Sequence, residues 1–339
     1  MTLAQHTAHT TRAAESTIIA IDGGNSKTDL ALVRGDGTVL RRARSGPFIP
    51  HIVGAVAAVE SLVSAVTELL DQVGHADHIA AYLANADLPI EEQRIRQAML
   101  AYDWATTVVV ENDTLALLRA GTLAPNAVAV VCGAGINCVA VASDGRRVRF
   151  PALGRITGDW GGGFSLAKEV LWSTARDEDG RGGTTALTRA VADHFDKSTA
   201  VAVSESLHLG EIDGERIHEI IPILLDTAAA GDDIARALVQ RQANEIVLMV
   251  SASLTRLELG GTATDIVLGG GILGSLHPVL LDAVRAGLAD AAPLGTIVLF
   301  DSVPVMGSAL LGIDFVWNHS DDPALAAALD HARQQFGAR

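Results

Sequence analysis

Residues Ile18–Leu32 read IIAIDGGNSKTDLAL, in which two apolar, strand-like segments flank a turn with an acid, two glycines and hydroxyl side chains. Glycines allow a close approach of the backbone, so that consecutive N–H groups in such a turn can converge on an anion. The carboxylate of Asp22, at the end of the first segment, could also hold a hydrated Mg²⁺. A plain hairpin turn would explain the same residues, so the rest of the chain has to decide between the two interpretations.

Composition predicts a globular protein with two domains. The chain has 339 residues, of which 49% are hydrophobic, and this is enough for two separate cores. Its formal net charge of −15 opposes binding to nucleic acid and to anionic membranes. No apolar run reaches the roughly 18 to 20 residues of a membrane span, and the first residues lack the apolar run of a signal peptide. We therefore expect a cytoplasmic protein with no nucleic-acid or membrane partner.

The two ends of the chain differ from the rest. Residues 1–16 are polar and rich in Thr and His, and we expect them to form a flexible tail. The charged residues 320–339 are likewise not expected to pack. An apolar segment at Ala243–Leu254 leaves two alternatives open, a homodimer face or part of the core.

The pattern of apolar and β-branched residues predicts two similar sets of strands. The first half begins with a three-stranded meander, then a long helix at Ile52–Val73, with strands at Thr17–Ile21, Asp29–Val33, Thr38–Arg42, His78–Leu83 and Thr107–Val110. The second half repeats the meander, with strands at Ala127–Cys132, Ile136–Ala142, Arg147–Phe150, Asp265–Leu268 and Thr296–Phe300. Helices predominate between Phe164 and Leu257, and a final helix covers Val305–Val316. This order predicts the α/β class, with mixed sheets in a duplicated fold around a cleft.

Two more glycine loops follow predicted strands. Gly133-Ala134-Gly135 could wrap a phosphate with its amides, and the nearby Asn137 offers both a donor and an acceptor to a ligand. Gly269-Gly270-Gly271 opens a helix whose N-terminus can face an anion or a nucleotide. Each loop alone could be a tight turn. Three such loops in one chain favour a phosphate- or nucleotide-binding function.

A carboxylate also follows the last strand of the first half. The segment Glu111-Asn112-Asp113-Thr114 begins where this strand ends, and open α/β sheets bind their ligands at that edge. Asp113 could instead be the N-cap of the next helix, which is a very common role for Asp. In the presence of the glycine loops, we interpret Asp113 as a functional residue.

The order of these motifs resembles the superfamily of sugar kinases, heat-shock chaperones and actin. The motifs are Asp22-Gly23-Gly24-Asn25-Ser26-Lys27-Thr28, Glu111-Asn112-Asp113, Gly133-Ala134-Gly135-Ile136-Asn137, Gly158-Asp159-Trp160-Gly161-Gly162-Gly163 and Gly269-Gly270-Gly271. Within this superfamily, the chain most resembles the BadF/BadG/BcrA/BcrD-type ATPase family, whose members include N-acetylglucosamine kinases. The resemblance extends from about Ile18 to Asp314 and depends on the order and spacing of the motifs.

The resemblance implies two actin-like (ribonuclease H-like) domains with mixed sheets and a nucleotide cleft between them. The N-terminal domain would comprise residues 17–117. The C-terminal domain, with a helical insert, would comprise residues 118–304, and a closing helix would follow at residues 305–319.

The resemblance also implies a function, the ATP-dependent phosphorylation of a hydroxyl group on a sugar or amino sugar. Asp22 would organise Mg²⁺, and Asp113 would be the general base that accepts the proton of the attacking hydroxyl. Sugar hydroxyls would be held by Asn112, Asn137 and Asp159. ATP and its phosphates would be bound by the glycine loops, at Gly23, Gly24, Asn25, Ser26, Lys27, Thr28, Gly133, Ala134, Gly135, Gly269, Gly270 and Gly271.

The sequence departs from the family pattern in two places. Family N-acetylglucosamine kinases usually have a sugar-contacting Asn in the loop after the third strand, whereas residues 45–51 here contain none. The family's Gly-Asp-Glu-Gly has Trp160 in the place of its Glu, and its preceding Gly-Trp-Gly is replaced by Leu153–Thr157. These changes leave the identity of the sugar open.

Three alternatives to a kinase remain. Some relatives are ATPases that activate a dehydratase through an iron–sulfur cluster, but Cys132 and Cys138 are too few and are expected to be buried in strands. A nucleotide- or sugar-binding regulator on the same fold would be non-catalytic, since fold alone does not establish catalysis. Gly269–Gly274 also fits the G-x-G-x-x-G pattern of nicotinamide-dependent oxidoreductases, but too little chain follows it for that fold.

Overall fold

The computed structural model describes residues 10–300, 302–318 and 322–337, which form two compact units. Unit 1 comprises the residues up to Leu123 together with those from Phe300 onward, and unit 2 comprises Ala124–Leu299. Each unit has its own hydrophobic core. The part of the expected flexible tail that precedes residue 10 lies outside the described residues.

Unit 1 is built on a five-stranded mixed sheet in the order β3-β2-β1-β4-β5. β1 pairs antiparallel with β2 and parallel with β4, whereas β3 and β5 form the edges. The strands are β1 Thr17–Gly23, β2 Thr28–Arg34, β3 Val39–Ser45, β4 Ala76–Leu83 and β5 Ala105–Asn112. The helices are Pro50–Val53, Ala55–Glu60, Val63–Leu70, Pro89–Leu100, Asp113–Gly121, Val305–Val316 and Pro323–Gly337.

Unit 2 repeats this sheet, in the order β10-β9-β6-β7-β8 and with the same parallel and antiparallel pairings. The predicted duplication and mixed sheets are therefore confirmed. The strands are β6 Ala127–Cys132, β7 Ile136–Val141, β8 Arg147–Arg149, β9 Thr264–Gly269 and β10 Gly295–Leu299. The α-helices are Gly162–Glu178, Leu187–His194, Ala200–His208, Ile220–Ala229, Asp233–Arg256, Gly271–Gly274 and Pro278–Ala291, and 3₁₀ helices lie at Gly154–Thr157 and Gly214–Glu219.

Two sequence-based expectations about helices need correction, and a third segment had two alternatives open. The long helix predicted at Ile52–Val73 is broken into three, because Gly54 takes a φ of 85° and a turn at Ser61 interrupts the next segment. Residues 10–15 are helical and bury Ala13, so this part of the N-terminal segment is packed. The apolar segment Ala243–Leu254 lies in the helix Asp233–Arg256 and contributes largely to the core of unit 2.

The C-terminal helix Pro323–Gly337 also contradicts the expectation that these residues do not pack. Between its charged residues the helix has an apolar stripe at helical spacing, which the sequence analysis overlooked. The buried residues of this stripe are Leu325, Ala328, Leu329, Ala332 and Phe336. The helix lies so close to Gly37 that a Cβ there would be 2.1 Å from the carbonyl oxygen of Ala328. Arg42 lies over the ring of Phe336, with 4.9 Å between its guanidinium carbon and the ring centroid.

The helix Val305–Val316, which matches its predicted bounds, supports the helix Asp113–Gly121. Gly307 permits close packing, because a Cβ there would lie 1.9 Å from the carbonyl oxygen of Ala116. Arg119 donates two hydrogen bonds to Asp314, at 2.7 and 3.1 Å, and both side chains are largely buried. This bidentate pair joins the last turn of the Asp113 helix to the helix Val305–Val316.

No helix among the described ranges combines the length and apolar character that a bilayer crossing requires.

Candidate functional site

Asp22 lies near the carboxyl end of β1, the central strand of unit 1. In the strand register it is opposite Asp29 of β2 and Tyr82 of β4. Burial, together with the nearby charges of Asp113 and Asp29, raises the pKa of Asp22 to about 8, against the opposing effect of Lys27. A half-buried carboxylate among like charges is a favourable place for a cation.

Asp113 is the first residue of its helix, directly after β5. The N-cap is Asn112, so the capping role considered for Asp113 belongs to its neighbour. The side-chain oxygen of Asn112 accepts hydrogen bonds from the backbone N–H of Thr114 at 3.1 Å and from its hydroxyl at 2.6 Å. Because Asn112 caps the helix, the carboxylate of Asp113 can remain near Asp22.

Asn112 itself is only 1% exposed. Besides its capping bonds, its amide donates to Asp87 Oδ1 at 2.9 Å. This position favours a supporting role for Asn112, and its contact with a sugar stays a prediction.

The turn between β1 and β2 offers open backbone amides. The amide of Gly24 donates to the carbonyl of Lys27 at 2.9 Å and closes the turn. Within the described chain, the amides of Asn25 and Ser26 donate to no protein acceptor. The turn can therefore present two consecutive N–H groups to an anion, as the sequence predicted for a phosphate loop.

Other residues of this first loop make contacts within the protein. Thr28 is fully buried, and its hydroxyl donates to the carbonyl of Gly46 at 2.8 Å. The single proton of this hydroxyl is therefore used within the protein, and contact of Thr28 with a phosphate stays a prediction. Gly23 has no space for a side chain, because a Cβ would lie 2.6 Å from Leu83 Cδ2.

Lys27 pairs with a carboxylate of its own hairpin. Its Nζ lies 2.7 Å from Asp29 Oδ2, and Arg44 Nε lies 2.6 Å from the other oxygen of Asp29. Although burial opposes ionisation, the hydrogen bonds from Lys27 and Arg44 lower the pKa of Asp29. Contact of Lys27 with a phosphate stays a prediction.

In unit 2, the turn between β6 and β7 is held by a second glycine segment. The carbonyl of Gly133 accepts from the amide of Gly163 at 2.7 Å, and that of Ala134 accepts from Phe164 at 3.0 Å. Gly162 has a φ of +75°, and a Cβ on it would lie 2.4 Å from the backbone of Gly135. The two segments that the sequence singled out separately therefore pack against each other.

The amides of Ala134 and Gly135 donate to no protein acceptor within the described residues. The turn in unit 2 therefore resembles the turn in unit 1, since each keeps two consecutive N–H groups open. The third loop lies beside the turn between β6 and β7. Gly270 has a φ of +90° and packs against the backbone of Cys132 at the end of β6.

Asn137 and Asp159, both predicted to hold sugar, lie in unit 2. Asn137 is half-buried on β7, and its side-chain oxygen accepts from the amide of Cys138 at 2.7 Å. Asp159 is buried and accepts from the hydroxyl of Thr157 at 2.6 Å. Trp160 is also buried and contributes to the core of unit 2.

Sequence reasoning missed Gln242, which is fully buried in the middle of the helix Asp233–Arg256. Its side-chain oxygen accepts from the amide of Gly162 at 2.9 Å, and its Nε2 has no partner within the described chain. Gln242 thereby holds the glycine segment, next to the residue whose amide bonds to the Gly133 turn. The signal available in the sequence was a lone amide side chain within an apolar helical face.

Asn85 and Asp87 were also missed. Asn85 has a φ of 63° and donates to Asn25 Oδ1 at 2.7 Å, so it steadies the first loop. Asp87 accepts from Asn112, as described above. Both lie in the segment after β4, where the same strand-end argument that selected Asp113 would have found them.

The two cysteines are buried and inert. Burial raises the pKa of the Cys132 and Cys138 thiols to about 12 each, so both remain protonated at neutral pH. Thiols in this state are poor ligands for an iron–sulfur cluster.

Two curated relatives cover most of this chain. The N-acetylmuramic acid/N-acetylglucosamine kinase of Clostridium acetobutylicum is 22% identical over 298 residues, which is 87% of this chain and 97% of that protein. The N-acetyl-D-glucosamine kinase of Dictyostelium discoideum is also 22% identical, over 311 residues and with the same two coverages.

The fold is shared with solved structures. A candidate N-acetylglucosamine kinase from Chromobacterium violaceum matches with a TM-score of 0.67 and 21% identity, over 88% of this chain and 99% of that one. This likeness confirms the expected α/β architecture of actin-like sugar kinases. The model of the BadF/BadG/BcrA/BcrD ATPase family matches residues 19–312, nearly the whole of the described chain. The protein therefore belongs to the BadF/BadG/BcrA/BcrD ATPase family.

Proposed function

We propose that this protein is an ATP-dependent kinase that phosphorylates a hydroxyl group of an amino sugar, with N-acetylglucosamine as the first candidate. The observation that carries the proposal is the pair of carboxylates Asp22 and Asp113, whose charges interact at the carboxyl edge of one sheet. Family membership and the names of the two curated relatives support the use of ATP and of an amino sugar.

The proposed nucleotide contacts are backbone amides. Asn25 and Ser26 in unit 1 and Ala134 and Gly135 in unit 2 offer open N–H groups to phosphate oxygens. The loop Gly269–Gly271 is proposed to contact the nucleoside. Phosphoryl transfer needs mainly positioning and charge neutralisation, which such amides supply.

Asp22 fits a Mg²⁺ site. No group of three or more His, Cys, Asp or Glu side chains in the described part of the chain is arranged to hold a metal ion. Mg²⁺ commonly binds through one or two carboxylates, with waters and substrate phosphates completing its shell, so a single well-placed Asp is sufficient. Burial and the like charges of Asp113 and Asp29 raise the pKa of Asp22, and a bound cation would favour its ionised form.

Asp113 is proposed to accept the proton of the attacking sugar hydroxyl. Asn112 would hold the backbone of Asp113 by capping the helix, and the Arg119–Asp314 pair would keep that helix in place. Asn137 and Asp159 are proposed to bind other hydroxyl groups of the sugar. A cytoplasmic location and a possible homodimer are further parts of this proposal.

The test is a panel of amino sugars and hexoses, assayed for ADP release and for the sugar phosphate formed. We expect ADP and sugar phosphate in equal amounts with at least one amino sugar, and a loss of both without Mg²⁺. A protein that binds ATP and sugar but transfers no phosphate to any member of the panel would contradict the kinase and indicate a regulator.

A further inference from the structure

A groove of ≈ 760 Å³ lies on the surface of unit 2, outside the residues proposed for catalysis. It runs along the helix Gly162–Glu178, and its chemistry is unusual for so acidic a protein. The lining includes three cations, two aromatic rings and one acid, namely Arg155, Lys168, Arg241, Phe164, Trp172 and Glu169.

Two of these cations lie over aromatic rings. Lys168 Nζ lies 4.1 Å from the ring centroid of Phe164, and the guanidinium carbon of Arg241 lies 3.9 Å from that of Trp160. Neither Lys168 nor Arg241 forms an ion pair within the residues that the structure describes. Stacking on aromatic rings holds both cations in place without neutralising them.

The third cation is partly neutralised. Arg155 NH2 lies 2.6 Å from Glu169 Oε1, and the indole N–H of Trp160 points to the same oxygen at 3.5 Å. The groove therefore keeps a net positive charge, on a chain whose formal net charge is −15. An anion is the ligand that this local charge favours.

The aromatic rings indicate a second property of the ligand, a ring with an apolar face. Trp172 is 58% exposed and Phe164 is 46% exposed, although both lie on one face of the same helix. Exposed aromatic faces next to polar groups are typical of binding sites for rings with apolar faces, such as sugars. Arg155 is also joined to the segment of Asp159 through the 3₁₀ helix Gly154–Thr157.

We propose that this groove binds an anionic sugar, that is, a sugar ring bearing a carboxylate or a phosphate group. The anionic group would pair with Lys168 and Arg241, and the sugar ring would pack on Trp172. The site is assigned by its own geometry and does not depend on the proposed kinase activity.

The test uses the fluorescence of Trp172. The chain has four tryptophans, and the other three are nearly fully buried, so Trp172 is the one whose emission reports a ligand in the groove. The full chain, without ATP, is titrated with glucose, glucuronic acid and glucose 6-phosphate at constant ionic strength. These probes share one ring and differ in the substituent at C6. Inorganic phosphate serves as the control for charge alone.

We expect a saturable change in emission with at least one anionic sugar, at a dissociation constant at least tenfold lower than for glucose or inorganic phosphate. The change should be largely lost in Trp172→Phe, where only a smaller signal from Trp160 beneath Arg241 would remain. Tighter binding of glucuronic acid would assign a carboxylate as the preferred group, and tighter binding of glucose 6-phosphate would assign a phosphate.

Three variants distinguish binding in the groove from a general effect of protein charge. Lys168→Met and Arg241→Gln should each weaken binding of the anionic sugar tenfold or more. Arg285→Gln, which removes an exposed cation elsewhere in unit 2, should leave binding unchanged. Equal affinities for glucose and the anionic sugars, or equal effects of all three variants, would overturn the proposal. So would emission that depends on protein concentration but not on sugar, which would indicate a contact with a second copy.

Discussion

Asp22 lies on the central strand β1 and Asp113 begins the helix after the edge strand β5, yet the charge of Asp113 helps to raise the pKa of Asp22. The strand register explains this proximity, because Asp22 is level with Tyr82 of β4, and Tyr82 is level with Glu111 of β5. Asp113 follows two residues later, at the carboxyl edge. In the proposed function, a cation on Asp22 and a transferring phosphoryl group would lie next to a carboxylate that accepts a proton.

Replacing Asp113 by Asn should remove the general base and preserve the shape of the side chain. We expect kcat for the preferred amino sugar to fall by about 10² to 10⁴, the usual contribution of general-base catalysis. The KM for ATP should change little, because Asp113 is not proposed to bind the nucleotide. Near-normal turnover by folded Asp113→Asn protein would remove Asp113 from this role.

Replacing Asp22 by Asn should stabilise the protein and inactivate it. Because burial raises the pKa of Asp22 above its value in the unfolded chain, its contribution to stability diminishes as the pH rises from about 4 to 8. The neutral amide avoids this cost, and we expect a gain on the order of 1–2 kcal/mol at pH 7.5, less than the full shift implies because Asp22 is partly exposed.

The same variant tests the metal site without an activity assay. Mg²⁺ should raise the melting temperature of the wild-type protein, because a ligand that binds the folded state stabilises it. It should have no such effect on Asp22→Asn. An equal response of the two proteins to Mg²⁺ would show that the ion binds elsewhere.

Much of the fold could be predicted from local patterns. The strand–glycine–strand repeat indicated a duplicated mixed sheet, and the apolar spacing of Val305–Val316 indicated its helix within correct bounds. The C-terminal helix was missed because its buried residues, such as Leu329 and Phe336, are separated by charged ones, so that composition outweighed periodicity. Gly54 breaks a helix through a positive φ, which a single sequence does not reveal.

The site was predictable where chemistry is local. Glycine turns and strand-end acids selected Asp22, Asp113 and the two turns with open amides, whose roles in binding and catalysis stay predictions. Gln242 was not predictable, because its importance comes from contact with Gly162, which is 80 residues away in the chain. The hydrogen bond from the Thr28 hydroxyl to Gly46 was not predictable for the same reason. Tertiary contacts decide which polar groups remain available to a ligand.

Gly162 should tolerate no side chain. An alanine there would combine an unfavourable φ of +75° with a Cβ 2.4 Å from the backbone of Gly135, and we expect a loss of about 2–4 kcal/mol in the free energy of unfolding. Gly180 is a matched control in the same unit, because its φ is +77° and a Cβ would have open space. Gly180→Ala should cost only about 1–2 kcal/mol. Equal losses in urea denaturation would show that the Gly135 contact is unimportant.

His78 should make the stability of the protein depend on pH. It is 1% exposed, its ring stacks on Phe315 with 4.0 Å between centroids, and its Nδ1 lies 2.9 Å from the hydroxyl of Thr107. That hydroxyl donates to the carbonyl of Asp77, so it accepts from His78, and the ring is neutral with its proton on Nδ1. Burial lowers the pKa of His78 to about 4.

Because this pKa is lower in the folded than in the unfolded chain, the stabilisation is complete above pH 6.5 and is lost as the pH falls from 6.5 towards 4. The loss should amount to roughly 3 kcal/mol. His78→Phe keeps an aromatic ring against Phe315 but cannot titrate, so its free energy of unfolding should fall less steeply over this range. The measurement is urea denaturation of both proteins between pH 4 and 7. Parallel pH profiles for wild type and variant would show that other groups determine the acid sensitivity.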